Sequence, residues 1–199
     1  MSSAFNDDPM VERECARLIE RYAIEHIIET GTYKGTTTRF FSSFGIPVDT
    51  IEIDQTNFSE ASASLRDASN VTVHIGNSVS VLQTLIPKLP SRTLFYLDAH
   101  WHSYWPLRDE LTMIREHLPQ AVIIIDDFKT PFRNYNFDCY IQGPCDINYV
   151  RDVLPNTCTY YYLNKTLRVP TGVGKLFVVP DTPSDLVQLE NGVLFSTTP

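Results

Sequence analysis

Five short apolar runs recur along the chain, each separated from the next by a helix-length segment: His26-Ile27-Ile28, Val48 to Ile53, Val71 to Ile75, Thr93 to Leu97 and Ala121 to Ile125. Strands joined in this way cannot pair as tight hairpins. Their connections must cross over, and right-handed crossovers build a mainly parallel sheet with helices on both faces. The intervening segments fit that demand. Pro9 to Tyr22 follows the capping signal Asp8 and carries Val11, Cys15, Leu18, Ile19 and Tyr22 at helical spacing. Thr36 to Phe44 ends at Gly45, Phe58 to Asp67 is a weaker helix, Val79 to Leu85 a short one, and Pro106 to Leu118 has one stripe of Leu107, Leu111, Ile114 and Leu118.

After Ile125 the alternation stops. Asp126 to Asp146 is polar and aromatic without a period, longer than a structural connection needs, and is expected to be a functional loop. A helix at Ile147 to Leu154 follows, then strands at Thr159 to Leu163 and Lys175 to Val179 joined through the turn Pro170-Thr171-Gly172, which suggests an antiparallel hairpin at the sheet edge. The expected fold is α/β, a Rossmann-like doubly wound sheet of about seven strands. It forms one domain over residues 1–199: an N-terminal helix at 9–22, a core at 25–127, a loop and hairpin at 128–180, and a tail at 181–199.

Composition narrows the partners. With 16 basic and 24 acidic residues the net charge is −8 and no Lys/Arg run exists, so nucleic acid is not expected. No apolar run approaches the roughly 18 to 20 residues that cross a bilayer, and MSSAFNDDPMVERECARL lacks a cationic stretch followed by an apolar one, so the expected location is the cytoplasm. Cys15, Cys139, Cys145 and Cys158 form no Cys-x-x-Cys pair and read as thiols, with Cys139 and Cys145 near one another in the irregular loop. The edge hairpin and the N-terminal helix offer contact surfaces for a second copy.

Open parallel sheets bind ligands beyond the carboxyl ends of their strands. Gly31 and Gly35 permit close backbone approach after the first strand, and Glu52 lies where an acid can accept both hydrogen bonds of a ribose diol. The dinucleotide fingerprint needs a second glycine where Tyr33 stands, and no Gly-Lys-Ser/Thr phosphate loop is present. A nucleoside cofactor without a pyrophosphate remains, S-adenosylmethionine being the common one. Five stretches fall in the order of the motifs of class I S-adenosylmethionine-dependent O-methyltransferases: Glu29-Thr-Gly-Thr-Tyr-Lys-Gly-Thr-Thr, Thr50-Ile-Glu-Ile-Asp, Gly76-Asn-Ser, Leu97-Asp-Ala-His-Trp and Ile124-Ile-Asp-Asp-Phe. The chain resembles the metal-dependent branch of that family, with its catechol and macrocin-type members, over roughly residues 25 to 130.

The resemblance implies that Glu29, Gly31, Tyr33 and Thr36 surround the methionine part of the cofactor, Glu52 the ribose, and Asn77 with Ser78 the adenine. It also implies that Asp98, which borders the cofactor, holds a divalent metal together with Asp126 and Asp127. The Asp pair is the macrocin-type pattern, whereas His100 replaces an acid of that pattern and the catechol-type lysine has no counterpart after Trp101. Independently of family, three carboxylates at neighbouring strand ends call for a cation, and oxygen ligands suit Mg²⁺. On this reading His100, then His102, is the base that takes the proton of a small-molecule hydroxyl. Two other classes fit parts of the pattern: a metal-dependent hydrolase built on Asp98, His100 and His102, and a nucleoside-binding module without transfer chemistry.

Overall fold

A computed structural model describes residues 4–100, 104–131, 135–163, 172–181 and 194–197. After a short 3₁₀ turn at Ala4–Asn6, the elements run α1 (Pro9–Arg21), β1 (His26–Thr30), α2 (Thr36–Ser42), β2 (Val48–Glu52), α3 (Gln55–Ser64), β3 (Val71–Ile75), α4 (Ser78–Leu85), β4 (Thr93–Leu97), α5 (Leu107–His117) and β5 (Val122–Ile125). They continue with the two-residue strands β6 (Cys139–Tyr140) and β7 (Gly143–Pro144), then α6 (Ile147–Val150), β8 (Thr159–Tyr162), β9 (Leu176–Val179) and β10 (Leu194–Thr197). The main sheet has the order β10-β8-β9-β5-β4-β1-β2-β3. All pairings from β3 to β5 are parallel, while β9 lies antiparallel between β5 and β8.

Local chemistry starts the helices. The Asp8 carboxylate accepts the backbone N–H groups of Met10 and Val11, Asp54 accepts those of Thr56 and Asn57, and Asn77 accepts that of Val79. Each satisfies donors that the first helical turn leaves free. Strand side chains then alternate between two apolar layers. Ile27, Leu94, Tyr96, Val122 and Ile124 pack with Cys15, Leu18 and Phe41 on the side of α1 and α2. Ile28, Phe95, Leu97, Ile123 and Ile125 pack with Leu82, Leu111, Ile114 and Val150 on the side of α4 to α6. The sheet is covered on both faces, as near-continuous apolar strands require.

Three expectations change. The helix expected at Phe58 to Asp67 begins at Gln55 because Asp54 caps it, and it ends at Ser64. The expected helix at Ile147 to Leu154 is a single turn ending at Val150. The β8–β9 hairpin does not end the sheet: β10, inside the segment expected to be a tail, pairs antiparallel with β8 and makes an eighth strand. β8 is buried along its whole length, so a neighbour is needed to satisfy its outer backbone groups. The expected turn at Pro170 and Thr171 lies outside the described residues. Among the described residues no disulfide joins the cysteines, and no helix is long and apolar enough to cross a membrane.

Candidate functional site

β1 has β2 on one side and β4 on the other, so strand order reverses between β1 and β4. A cavity of about 580 Å³ opens there, beyond the carboxyl ends of the parallel strands. Gly31 and Tyr33 line it after β1, Glu52 and Ile53 after β2, Gly76, Asn77 and Ser78 after β3, Asp98 to His100 after β4, and Asp126 with Asp127 after β5. The sequence-derived set therefore converges on one crevice, with Glu29, Gly35 and Thr36 outside its lining.

On the β1–β3 side, local geometry fixes each group. Gly31 has φ +86°, and a side chain there would begin 2.5 Å from the carbonyl oxygen of Asp98, so the turn after β1 lies directly against the end of β4. Tyr33 also has positive φ, and its backbone N–H donates to Glu52 Oε2 at 2.8 Å. The N–H of Asp54 donates to Glu52 Oε1 at 2.8 Å. Each carboxylate oxygen keeps a further lone pair for a ligand hydroxyl on the cavity side. Glu29 is buried behind this wall, where it accepts hydrogen bonds from the Thr50 hydroxyl at 2.7 Å and from that of Thr38. Burial pushes its carboxyl up to about 7. Glu29 thus ties β1 to β2 and α2, and Gly35 and Thr36 form the turn and helix start beneath the cavity.

The β4–β5 side is crowded with acid. Asp126 is buried; one oxygen accepts the Tyr96 hydroxyl and the other accepts both the Lys175 ammonium and the N–H of Asp127. Lys175, itself 4% exposed, arrives from the start of β9, whose register against β5 pairs Leu176 with Ile125. Gly174 makes this approach possible, because a Cβ there would lie 2.1 Å from the carbonyl oxygen of Phe128. Loss of solvent, then the charges of Asp126 and Asp127, push the Asp98 carboxyl well above its usual range. Burial with Asp126 and Asp138 nearby pushes Asp127 up to about 7. Asp127 also has φ +49°, a conformation that Asp tolerates better than most residues.

A metal held by Asp98, Asp126 and Asp127 was expected because three carboxylates lacked a counter-charge. The fold supplies that charge as Lys175, and both oxygens of Asp126 are engaged within the protein. The trio as built does not fit a metal. Another set does come together: ligand atoms of His100, Asp127 and Asp138 all lie within 4.8 Å of one another. His102, the other expected base and a member of the hydrolase-type cluster, lies outside the described residues, as do Trp101 and Phe132.

Sequence reasoning passed over four side chains that the fold brings to this region: Lys175, Asp138, Tyr96 and Glu110. Glu110 was legible. It stands three residues after Leu107 and four before Ile114, on the buried face of α5, and burial pushes its carboxyl up to about 7. A lone lysine abutting the apolar run Leu176 to Val179 was the only local mark of Lys175. Asp138 carried none, since its place depends on how the loop after β5 folds back.

A parallel sheet reversed at β1/β4, with an acid-ended β2 facing the reversal, is the arrangement in which open α/β sheets form a ligand crevice. Solved structures that share the fold include methyltransferases. An O-methyltransferase from Bacillus cereus in complex with SAH aligns with a TM-score of 0.68 at 19% identity over 89% of this chain and 84% of that one. The O-methyltransferase TomG from Streptomyces achromogenes, involved in tomaymycin synthesis and solved with SAM, gives 0.64 at 18% identity over 89% and 82%. A precorrin-6y C5,15-methyltransferase from Geobacter metallireducens gives 0.55 at 12% identity over 88% and 92%. The sequence matches no protein-family model and no curated protein. The chain thus has the Rossmann-like methyltransferase fold.

Proposed function

We propose that this protein transfers the methyl group of S-adenosylmethionine to a hydroxyl oxygen of a small molecule. The observation that carries the reading is Glu52, held by two backbone N–H groups at the lip of the 580 Å³ cavity, opposite the Gly31 turn. A fixed carboxylate at that point can take both hydroxyls of a ribose, while Asn77 and Ser78 stand at the neighbouring strand end for the base. The methionine end then lies against the Gly31–Tyr33 turn, whose shape Glu29 maintains from behind.

The transferred methyl points toward the β4–β5 side. There the chain can hold an acceptor hydroxyl in line with the sulfonium and exclude water, and positioning is the larger part of such a reaction. The acceptor's proton passes to a base at the cavity wall, which offers Asp98 and His100. Tyr104, also on that wall, belongs with the acceptor rather than the cofactor in this reading.

The test is calorimetric titration with S-adenosylhomocysteine. Wild type is expected to bind it with one site per chain, and Glu52→Gln to weaken it by roughly 10- to 100-fold, the loss of about 1.5–3 kcal/mol of charge-assisted hydrogen bonding. Glu52→Gln keeps the shape and an acceptor for one of the two backbone N–H groups. Unchanged affinity in a folded Glu52→Gln would remove the ribose assignment.

A further inference from the structure

We propose that residues 4–7, ahead of α1, are part of the cofactor site, and that the Asn6 side-chain amide donates to the α-carboxylate of the bound cofactor. The assignment rests on the methyl-transfer reading and names a contact which that reading leaves open.

Among the described residues of the cavity lining, Asn6 alone comes from before β1. The chain ahead of the sheet therefore returns to make part of the wall, and it does so in an unfavourable conformation. Phe5, Asn6 and Asp7 have φ of 53°, 57° and 62°, three successive left-handed residues with no glycine among them. Such a run crowds the side chains of L-residues, Asn and Asp tolerating it best. It persists only where surrounding contacts hold it. The Asp7 N–H donates to the Ala4 carbonyl at 3.1 Å, which closes the turn, and Asp8 fixes the far end by capping α1.

Phe5 is the anchor. It is 4% exposed, and its ring meets those of Phe40, Phe41 and Tyr96 edge-on at centroid distances of 5.1, 5.8 and 5.4 Å. The Lys175 ammonium lies 5.9 Å from the same centroid. With Phe5 held between α2 and β4, Asn6 is left exposed at the cavity wall beside α2, the helix that follows the Gly31–Tyr33 turn. That is the end of the cavity to which the methionine part is assigned.

The chemistry of the wall selects the contact. The lining holds Glu52, Asp98, Asp126 and Asp127, and no lysine or arginine among its described residues. The α-ammonium of the cofactor suits such a wall. The α-carboxylate does not, and it needs a hydrogen-bond donor close by. The turn after β1 supplies none from its glycines: the N–H groups of Gly31 and Thr32 donate to the Ile51 carbonyl, that of Tyr33 to Glu52, and that of Gly35 to the Thr32 carbonyl. The Tyr33 ring is 60% exposed, with the Lys34 ammonium 5.4 Å from its centroid. Asn57 and Asn77 stand after β2 and β3, at the ribose and base end. Asn6 remains, with two N–H donors on an amide that makes no hydrogen bond to the described residues.

The experiment is calorimetric titration of the full chain with two ligands: S-adenosylhomocysteine, and 5′-methylthioadenosine, which keeps the nucleoside and the thioether sulfur but lacks the amino-acid end. Asn6→Gly accepts the left-handed backbone and removes the amide; it should weaken S-adenosylhomocysteine about tenfold, the loss of one hydrogen bond to a charged group. Asn6→Asp keeps the shape and also tolerates the backbone, but sets a like charge against the carboxylate. It should weaken binding more than Asn6→Gly, with the excess shrinking as salt is added. Neither variant should change the affinity for 5′-methylthioadenosine by more than about twofold, since that ligand has no carboxylate to lose a partner. A crystal structure of wild type with S-adenosylhomocysteine, independent of any variant, should place the carboxylate within about 3.2 Å of Asn6 Nδ2. Unchanged S-adenosylhomocysteine affinity in Asn6→Asp, an equal loss for both ligands, or a carboxylate held elsewhere in the crystal would each overturn the proposal. Wild type that binds neither ligand would defeat the functional reading and this contact with it. Wild type that binds both, with the Asn6 variants unaltered, would defeat the contact alone.

Discussion

The two sides of the crevice solve the problem of buried charge in opposite ways. On the β1–β3 side every acid has donors supplied by nearby segments: Glu52 takes two backbone N–H groups and Glu29 takes two threonine hydroxyls. Further from the cavity, the rings of His26 and His74 donate to Asp49 at 2.6 and 2.5 Å. On the β4–β5 side Asp98, Glu110, Asp126, Asp127 and Asp138 gather around one small cavity, and the cation that balances Asp126, Lys175, comes from 49 residues away. The first side is complete as built. The second has carboxylates in excess of cations, which is the condition for taking up a cation or handling protons.

The largest effect that could break this contrast is at Lys175. Lys175→Met leaves the buried Asp126 without its partner and should cost about 3–5 kcal/mol in denaturant unfolding. Combining it with Asp126→Asn should recover most of that loss, since the neutral pair no longer strands a charge. A cost under about 1 kcal/mol for the single variant would mean that the β4–β5 side is wetter than the geometry shows.

Glu110 sharpens the comparison through pH. Its carboxyl titrates at about 7 in the fold against an ordinary value of 4.5, so the folded state holds the proton more tightly. The stabilising contribution is full below pH 4.5 and is lost as pH rises through 7. Glu110→Gln, which cannot ionise, should therefore be more stable than wild type by about 1–3 kcal/mol at pH 8, with the advantage gone near pH 4.5. Thermal melts at the two pH values read this directly; an advantage that does not vary with pH would remove burial of the charge as its cause.

The smallest effect has the opposite sign. Burial pushes the Asp49 carboxyl up, but hydrogen bonds from His26 and His74 outweigh it and hold it well below the usual carboxylate range. Its contribution is present above about pH 4 and fades as pH falls further. Asp49→Asn should cost about 1 kcal/mol at neutral pH, and little at pH 2. A larger loss there than at Lys175 would show that the β1–β3 side, too, depends on a single charge cluster.

Legibility followed the same division. β1 to β5 could be read because apolar runs of five residues alternate with segments carrying their own caps, and those signals act within a few residues. The β1–β3 side inherited that clarity: Gly31 and Glu52 sit at strand ends that the pattern itself marks. α3 begins three residues before the expected Phe58 because Asp54, just past the expected strand, is its cap. On the other side the argument for a counter-ion named a metal, and the fold sets one lysine, Lys175, against Asp126. Asp126 and Lys175 meet only because β9 inserts antiparallel beside β5, which no local pattern announces.

The sequence by itself determined the sheet, its helices and the acid-ended strand facing a glycine turn, because these depend on hydrophobic period and backbone conformation over short stretches. Only the tertiary structure decided how charge is balanced on the β4–β5 side: which carboxylate Lys175 neutralises, and that Asp138 stands beside His100. Electrostatic pairing in a dry interior is set by a few ångströms of distance between segments far apart in the chain, and that distance exists only once the sheet has closed around it.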